Sequence, residues 1–264
     1  MFSVFSALRG ATLLLIAGLT LPSVAAEITA VPCAPADIQL VEEANWPPFT
    51  LEPAGLASRG LSFDLMQLIF SRMDRCAAIN LLPQLRVFKQ LNTLQADGVT
   101  LARLAPERYE YLAYTATPLV TLRGYLYFRA DWPADKVINS WEDVRGLRLG
   151  VVRGRYYPEE FTRAREQGVF TTVEVVNSTQ LVGMLIRGRI DALPFLEIEA
   201  KQILALPEFR GKVKPAPQIP VNMDFYLALT RKPAMLKLLP QVNQTIDELH
   251  ASGELQTLLS RYGL

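Results

Sequence analysis

Residues 62–75 read Ser62-Phe63-Asp64-Leu65-Met66-Gln67-Leu68-Ile69-Phe70-Ser71-Arg72-Met73-Asp74-Arg75. The apolar positions Phe63, Leu65, Met66, Ile69, Phe70 and Met73 recur with the spacing of one helix face and predict an amphipathic helix. Ser62 stands where an N-cap is expected. Short apolar runs of strand length lie on either side, Ile38–Glu42 before it and Ile79–Leu85 after it. Trp46-Pro47-Pro48-Phe49 breaks the chain between the first run and the helix, because two prolines permit neither ladder nor helix. Strand, helix, strand in this order makes a crossover unit, and such units build parallel or mixed sheets covered on both faces.

The alternation continues outward. Val87–Leu94 and Glu107–Leu112 read as helices, the second opened by Pro106, with a brief strand at Gly98–Leu101 between them. Beyond Pro118 the strands are Tyr125–Phe128, Leu147–Val152, Val173–Val176, Ile190–Pro194 and Phe225–Thr230. The helices are Ser140–Val144, Tyr157–Glu166, Thr179–Arg187, Ile198–Leu206 and most of Met235–Tyr262. Ser140 is the expected cap of its short helix. Pro215, Pro217 and Pro220 mark a linker at Pro215–Asn222, and a second linker is read at Leu119–Arg123. The two bracket a middle block, so the expected fold class is α/β with two lobes joined by two crossings. The first lobe is assigned residues 27–121 and 222–264, the second 122–221. Two crossings permit hinge closure over a ligand.

Met1 to Ala26 carries one basic residue, Arg9, then an apolar run from Ala11 to Leu21, Pro22, and the small residues Val24-Ala25-Ala26. This is the pattern of a secretory signal peptide cleaved after Ala26. The apolar run is too short to cross a bilayer as a helix. Loss of Arg9 leaves acidic and basic residues balanced. That balance excludes the electrostatic footprint of a nucleic-acid binder and of a polybasic membrane-surface protein. The chain has two cysteines, Cys33 and Cys76. In an exported chain an even count favours a disulfide; the alternative is two unrelated buried thiols. Each cysteine precedes a predicted strand, and a bridge is reasonable if those strands are parallel neighbours. His250 is the one histidine, so no metal site is expected. No phosphate loop or nucleotide fingerprint is present, and no cofactor is expected.

Six segments, in order, resemble the family 3 periplasmic solute-binding proteins, the polar amino-acid binding group of ABC importers. They are Asn45-Trp46-Pro47-Pro48-Phe49; Gly60-Leu61-Ser62-Phe63-Asp64-Leu65-Met66; Ala105-Pro106-Glu107-Arg108 with Ala116-Thr117-Pro118; Leu147–Gly154; Gly188-Arg189-Ile190-Asp191-Ala192; and Ile246-Asp247-Glu248-Leu249 through Tyr262-Gly263. The resemblance spans one domain, residues 35–262. It implies a type II periplasmic-binding-protein fold, a periplasmic monomer, and a small anionic or zwitterionic ligand delivered to an ABC permease in the inner membrane.

The resemblance also nominates residues. Arg108 would grip a ligand carboxylate, for which a planar guanidinium offers two parallel hydrogen bonds. Trp46 would stack on the ligand, or else plug the first loop from within the core. Thr100 and Thr117 would offer hydroxyls. Arg103 either faces the cleft beside Arg108 or points outward. Arg155 and Tyr156 replace the small hydroxyl residues of the family's second-lobe turn and either enter the pocket or lie on the surface. Asp191 is read as orienting a strand end. Where amino-acid binders carry an aspartate for the ligand ammonium, this chain has Leu196 followed by Glu197, so an ordinary α-amino acid lacks its counter-charge.

The leading expectation is therefore a binding protein without catalytic residues, working with a transporter, or else a scavenger or sensor without one. The rival is a cleft enzyme resembling cyclohexadienyl dehydratases, with Glu43 or Glu197 as its acid–base carboxyl. A buried, cleft-facing Glu43 or Glu197 beside Arg108 would favour the rival.

Overall fold

The computed structural model describes residues 36–52, 58–133 and 136–264, with the side chains of 217–221 outside that description. The leader expectation and Cys33 fall outside the described residues. The first strand, β1 (Ile38–Glu43), leads through the proline loop to α1 (Leu61–Ser71), then β2 (Ala77–Leu82). β1 and β2 pair in parallel, Ile38 opposite Ala77, as the crossover unit requires. α2 (Gln84–Asn92) and β3 (Gly98–Ala102) follow, and β3 pairs in parallel with the other side of β1. After a 3₁₀ turn at Pro106–Arg108 come β4 (Leu112–Tyr114) and the long β5 (Val120–Arg129).

The middle block contains a 3₁₀ turn at Trp141–Val144, β6 (Arg148–Val152), α3 (Glu159–Glu166), β7 (Thr171–Val175) and α4 (Ser178–Ile186). It ends with β8 (Leu193–Leu196) and α5 (Glu197–Leu204). Ser140 caps the first turn as expected, in a reciprocal box with Asp143. β6 and β7 pair in parallel, and Ala192 bridges to Leu149 of β6. The chain then runs through β9 (Val213–Thr230) into α6 (Pro233–Ala251) and α7 (Glu254–Ser260). The large sheet has the order β2-β1-β3-β9-β5-β8, with β4 also on β9.

Two lobes follow from where the apolar side chains collect. Leu40, Phe49, Leu65, Ile69, Val242 and Ile246 share one core. Phe128, Val144, Leu149, Phe161 and Phe170 share another, beside a third built on Leu181, Val182 and Leu185. β5 and β9 belong to both sides. Leu122 and Phe225 pack in the first core, whereas Leu126 and Ala216 pack in the second. The crossings are thus two antiparallel strands paired with each other.

This corrects the reading of Pro215–Asn222 as a linker. The segment is part of one 18-residue strand. Its prolines are tolerated because the β5–β9 register shifts between Gly124 and Leu126, where Val221 and Ala216 are the successive partners. The helix expected at Glu107–Leu112 is likewise one 3₁₀ turn followed by a strand. Leu112–Tyr114 finds hydrogen-bond partners on β9 at Thr230–Ala228, and that tertiary pairing overrides the local preference.

The start of α1 shows why the proline loop and the helix belong together. Gly60, not Ser62, is the N-cap, and Ser62 is fully buried. The amides of Leu61 and Ser62 donate to the carbonyls of Pro48 and Phe49, at 3.0 and 3.1 Å. The loop backbone thereby satisfies helix donors that a side-chain cap usually meets. Gly60 sits at φ 129°, and an added Cβ would lie 2.4 Å from the Phe49 carbonyl oxygen. Gly60→Ala therefore combines backbone strain with a clash against backbone. We expect a loss of at least about 2 kcal/mol, read as a lower urea midpoint; an unchanged midpoint would refute this account of the turn.

Candidate functional site

The end of β1 carries two consecutive buried carboxylates, Glu42 and Glu43. The next loop turns Trp46 inward, with its ring tilted against Phe49 at 4.2 Å and Phe225 at 5.9 Å. Thr50 ties this corner together, accepting from the Trp46 amide at 3.1 Å and donating to the Glu43 carbonyl at 2.5 Å. Trp46 thus serves both readings, since it is core-packed and also lines a cavity of about 90 Å³. Glu42, Glu43, Arg103, Arg108, Arg155 and Glu199 are the charged residues of that lining.

One wall is cationic. The 3₁₀ turn opened by Pro106 swings Arg108 inward, leaving it 8 % exposed. Its guanidinium lies 3.5 Å from the centre of the Phe88 ring and 5.7 Å from that of Tyr156. Its nearest carboxylate is the exposed Glu107 at 3.9 Å, too far for a hydrogen bond. Arg103 lies 5.0 Å from the Tyr156 ring, and its buried Nη1 has no hydrogen-bond partner among the described residues. Desolvation pushes both guanidiniums below their ordinary range. Tyr156 lies between these two cations and the second lobe's turn.

The opposite wall is a closed ion network. Gly154, at φ 80°, reverses the chain after β6 and sends Arg155 into the cavity. Arg155 Nη2 donates to Glu43 Oε1 at 2.9 Å, and Nη1 reaches the Glu199 carboxylate at 3.2 and 3.3 Å and Ser178 Oγ at 3.2 Å. Ser178, at the start of α4, donates its own hydroxyl to Glu199. The guanidinium lies 5.5 Å from the Trp46 ring. Burial opposes the Arg155 charge, but Glu199 and Glu43 outweigh it and hold the group above its usual range. Burial also raises the Glu43 carboxyl, against the pull of Arg155.

Glu42 has a different environment. Its carboxylate accepts from the Glu43 amide at 2.7 Å, the Leu101 amide at 3.0 Å and the Thr100 hydroxyl. Burial nevertheless raises it to about 7. A carboxyl raised on folding keeps its proton longer in the folded than in the unfolded chain. Its contribution is therefore fully present below about 4.5 and is lost as the pH rises through about 7. The Glu42→Gln variant, which cannot titrate, should lack this decline of up to a few kcal/mol. Urea midpoints measured from pH 4.5 to 8 check it, and parallel profiles for the two proteins would sink it.

Three nominated residues lie elsewhere. Thr100 is fully buried and spends its hydroxyl on Glu42, so it is not in the cavity wall. Thr117 donates to Asp247 of α6 at 2.8 Å, on the far side of the β5 crossing. Glu197 pairs with Lys201 one turn along α5, at 2.8 Å, facing outward. The residue facing inward from that helix is Glu199, which is 0 % exposed. Glu199 was missed, although a signal existed: it stands four residues before Ile203 and so shares the apolar face of the expected helix. Asp191 orients the strand end as read, accepting from the Arg148 amide at 2.8 Å and from its guanidinium. His250 contacts the Pro118 carbonyl at 3.0 Å, outside the cavity.

No protein-family model and no curated protein sequence matches the chain. Solved structures do. An ancestral arginine-binding protein bound to arginine is 17% identical, with a TM-score of 0.74 over 85% of this chain and 97% of its own. A histidine kinase sensor domain with similarity to periplasmic binding proteins is 17% identical, with a TM-score of 0.74 over 85% and 95%. The ancestral amino acid-binding protein AncCDT-1, a precursor of cyclohexadienyl dehydratase, is 17% identical, with a TM-score of 0.70 over 85% and 94%. Identities this low speak for architecture alone, and with the paired β5–β9 crossing they identify this chain as an α/β protein of the two-lobed periplasmic-binding-protein fold, the fold of the family 3 solute-binding proteins its motifs resemble.

Proposed function

We propose that this protein captures a small carboxylate-bearing solute between its lobes, without chemical change. The observation that carries the proposal is the pair Arg103 and Arg108, two desolvated guanidiniums on one cavity wall with no hydrogen-bonded carboxylate side chain. Buried charges are ordinarily paired. A ligand carboxylate supplies the missing partner, and the planar forks suit it. Tyr156 and Trp46 cover the ligand body. In this reading Thr100, Thr117 and Glu197 are not contacts. A thermal-shift screen against monocarboxylates, dicarboxylates, aromatic acids and amino acids tests it, since a ligand that binds only the folded state raises the midpoint. No shift with any acid would overturn it.

The setting we propose is the periplasm, reached by a leader cleaved after Ala26, with an ABC permease as partner and the monomer as the working form. The ligand-binding domain spans 35–262, with lobes at 27–121 plus 222–264 and at 122–221. Among the described residues no helix is long and apolar enough to cross a membrane. A Cys33–Cys76 bridge belongs to the same proposal; Cys76 begins β2, whose neighbour β1 is parallel to it. Reduction should lower stability by about 2–4 kcal/mol. Two alkylatable thiols in the unfolded, unreduced protein would refute the bridge.

A second reading, an acid–base enzyme, has one observation in its favour. Glu42 and Glu43 are buried and line the cavity, and Glu42 titrates near neutrality. Against it, Glu43 is held by Arg155, and both Glu42 oxygens already accept hydrogen bonds. Recovery of a bound acid unchanged after prolonged incubation supports the binder; a new product supports the enzyme.

A further inference from the structure

Arg155 sits as a guanidinium ligand would. Its two terminal nitrogens reach different carboxylates, Glu43 from the first lobe and Glu199 from the second. The Trp46 ring lies 5.5 Å from its central carbon, and Ser178 adds a hydroxyl at 3.2 Å. Buried Nε alone has no partner. Two buried carboxylates beside an aromatic ring are a receptor for a planar cation. Here the cation arrives on the chain itself, from a turn where the Gly154 reversal aims it inward.

We propose that Glu43, Glu199, Ser178 and Trp46 form a guanidinium-binding subsite whose resident occupant is Arg155. Arg155 is thereby the residue that restricts the cavity to anions with an uncharged body. The lining charges give the reason. Three guanidiniums, Arg103, Arg108 and Arg155, face the two network carboxylates Glu43 and Glu199. The surplus is one positive charge, which one monoanion balances. A ligand bringing its own ammonium or guanidinium meets no free carboxylate, because both are engaged. Phe88, Trp141, Phe161 and Phe195 in the same lining suit an apolar or aromatic body. Without Arg155 the balance inverts, and a molecule with a carboxylate at one end and a guanidinium at the other becomes the complementary one. The anion half of this inference rests on the reading given under Proposed function; the cation half does not.

The test uses two probes, ethylguanidinium and L-arginine, by calorimetry and thermal shift on the mature protein. Arg155→Ala should bind ethylguanidinium at millimolar concentration, at least about tenfold more tightly than the wild type does. Its melting midpoint should rise with the probe while that of the wild type stays put. Arg155→Ala/Glu199→Gln should lose this gain. Arg155→Gln, which retains a hydrogen-bonding group for Ser178, serves as a second variant if Arg155→Ala does not fold. L-Arginine should bind the variant more tightly than ethylguanidinium, and the wild type hardly at all. Equal ethylguanidinium binding by wild type and variants, or none by either variant, overturns the subsite. Ethylguanidinium binding with no further gain for L-arginine leaves the subsite standing and counts against the Arg103–Arg108 carboxylate grip instead.

Discussion

Arg108→Ala lowers the affinity for a carboxylate ligand by about two to three orders of magnitude, because removing one partner of a desolvated charge pair costs about 2–5 kcal/mol. The same change leaves the unliganded fold nearly as stable. Two effects offset each other there. The side chain's contact with the Phe88 ring at 3.5 Å is lost, at about 1–2 kcal/mol. A buried charge without a hydrogen-bonded carboxylate is also removed, which is favourable. Arg108→Lys keeps the charge and loses the fork, so it should fall between. Calorimetry for binding and a melt for stability separate the two quantities. An affinity within about threefold of wild type would remove Arg108 from the site.

Glu199→Ala has the largest expected effect on stability. Glu199 is fully buried, accepts from Arg155 and Ser178, and has no route to water. Breaking a buried ion pair from one side costs about 3–5 kcal/mol, since the remaining charge keeps its desolvation penalty. At about 2–4 °C per kcal/mol for a protein of this size, the midpoint falls by roughly 10 °C or more. Glu197→Ala, two residues away, removes only an exposed pair with Lys201 and should move it by a degree or two at most. The double variant Glu199→Ala/Arg155→Ala should be less destabilised than the sum of the single ones, because the orphaned cation is gone. Strict additivity would show that Glu199 does not act through Arg155.

The contrast between Glu197 and Glu199 marks where the sequence stops being legible. Periodicity places both on one helix and distinguishes its faces. Glu199 shares a face with Ile203, and only the packing of α5 over β5 and β8 turns that face toward the cavity. Thr100 is a similar case. A strand residue alternates between two sides, and the side Thr100 takes is the one where Glu42 lies. The Pro215–Asn222 segment was unreadable for another reason. Its prolines announce a break, and the partner that keeps it a strand is β5, some ninety residues earlier. The proline turn that aims Arg108 inward, by contrast, is local and was visible from the start.

What the sequence determined by itself was the alternation of helix and strand, the proline and glycine punctuation, and hence the class of fold. These depend on residues within a turn or two of each other, where spacing and dihedral preference act. It also singled out Arg108, Arg103, Arg155, Tyr156 and Trp46, which share the wall of one cavity. What only the tertiary structure decided was how those charges pair. Arg155 and Glu43 stand 112 residues apart. Whether a guanidinium is a surface charge, a ligand grip or an internal cation depends on which carboxylate the closed lobes bring within 3 Å, and no local pattern encodes that distance.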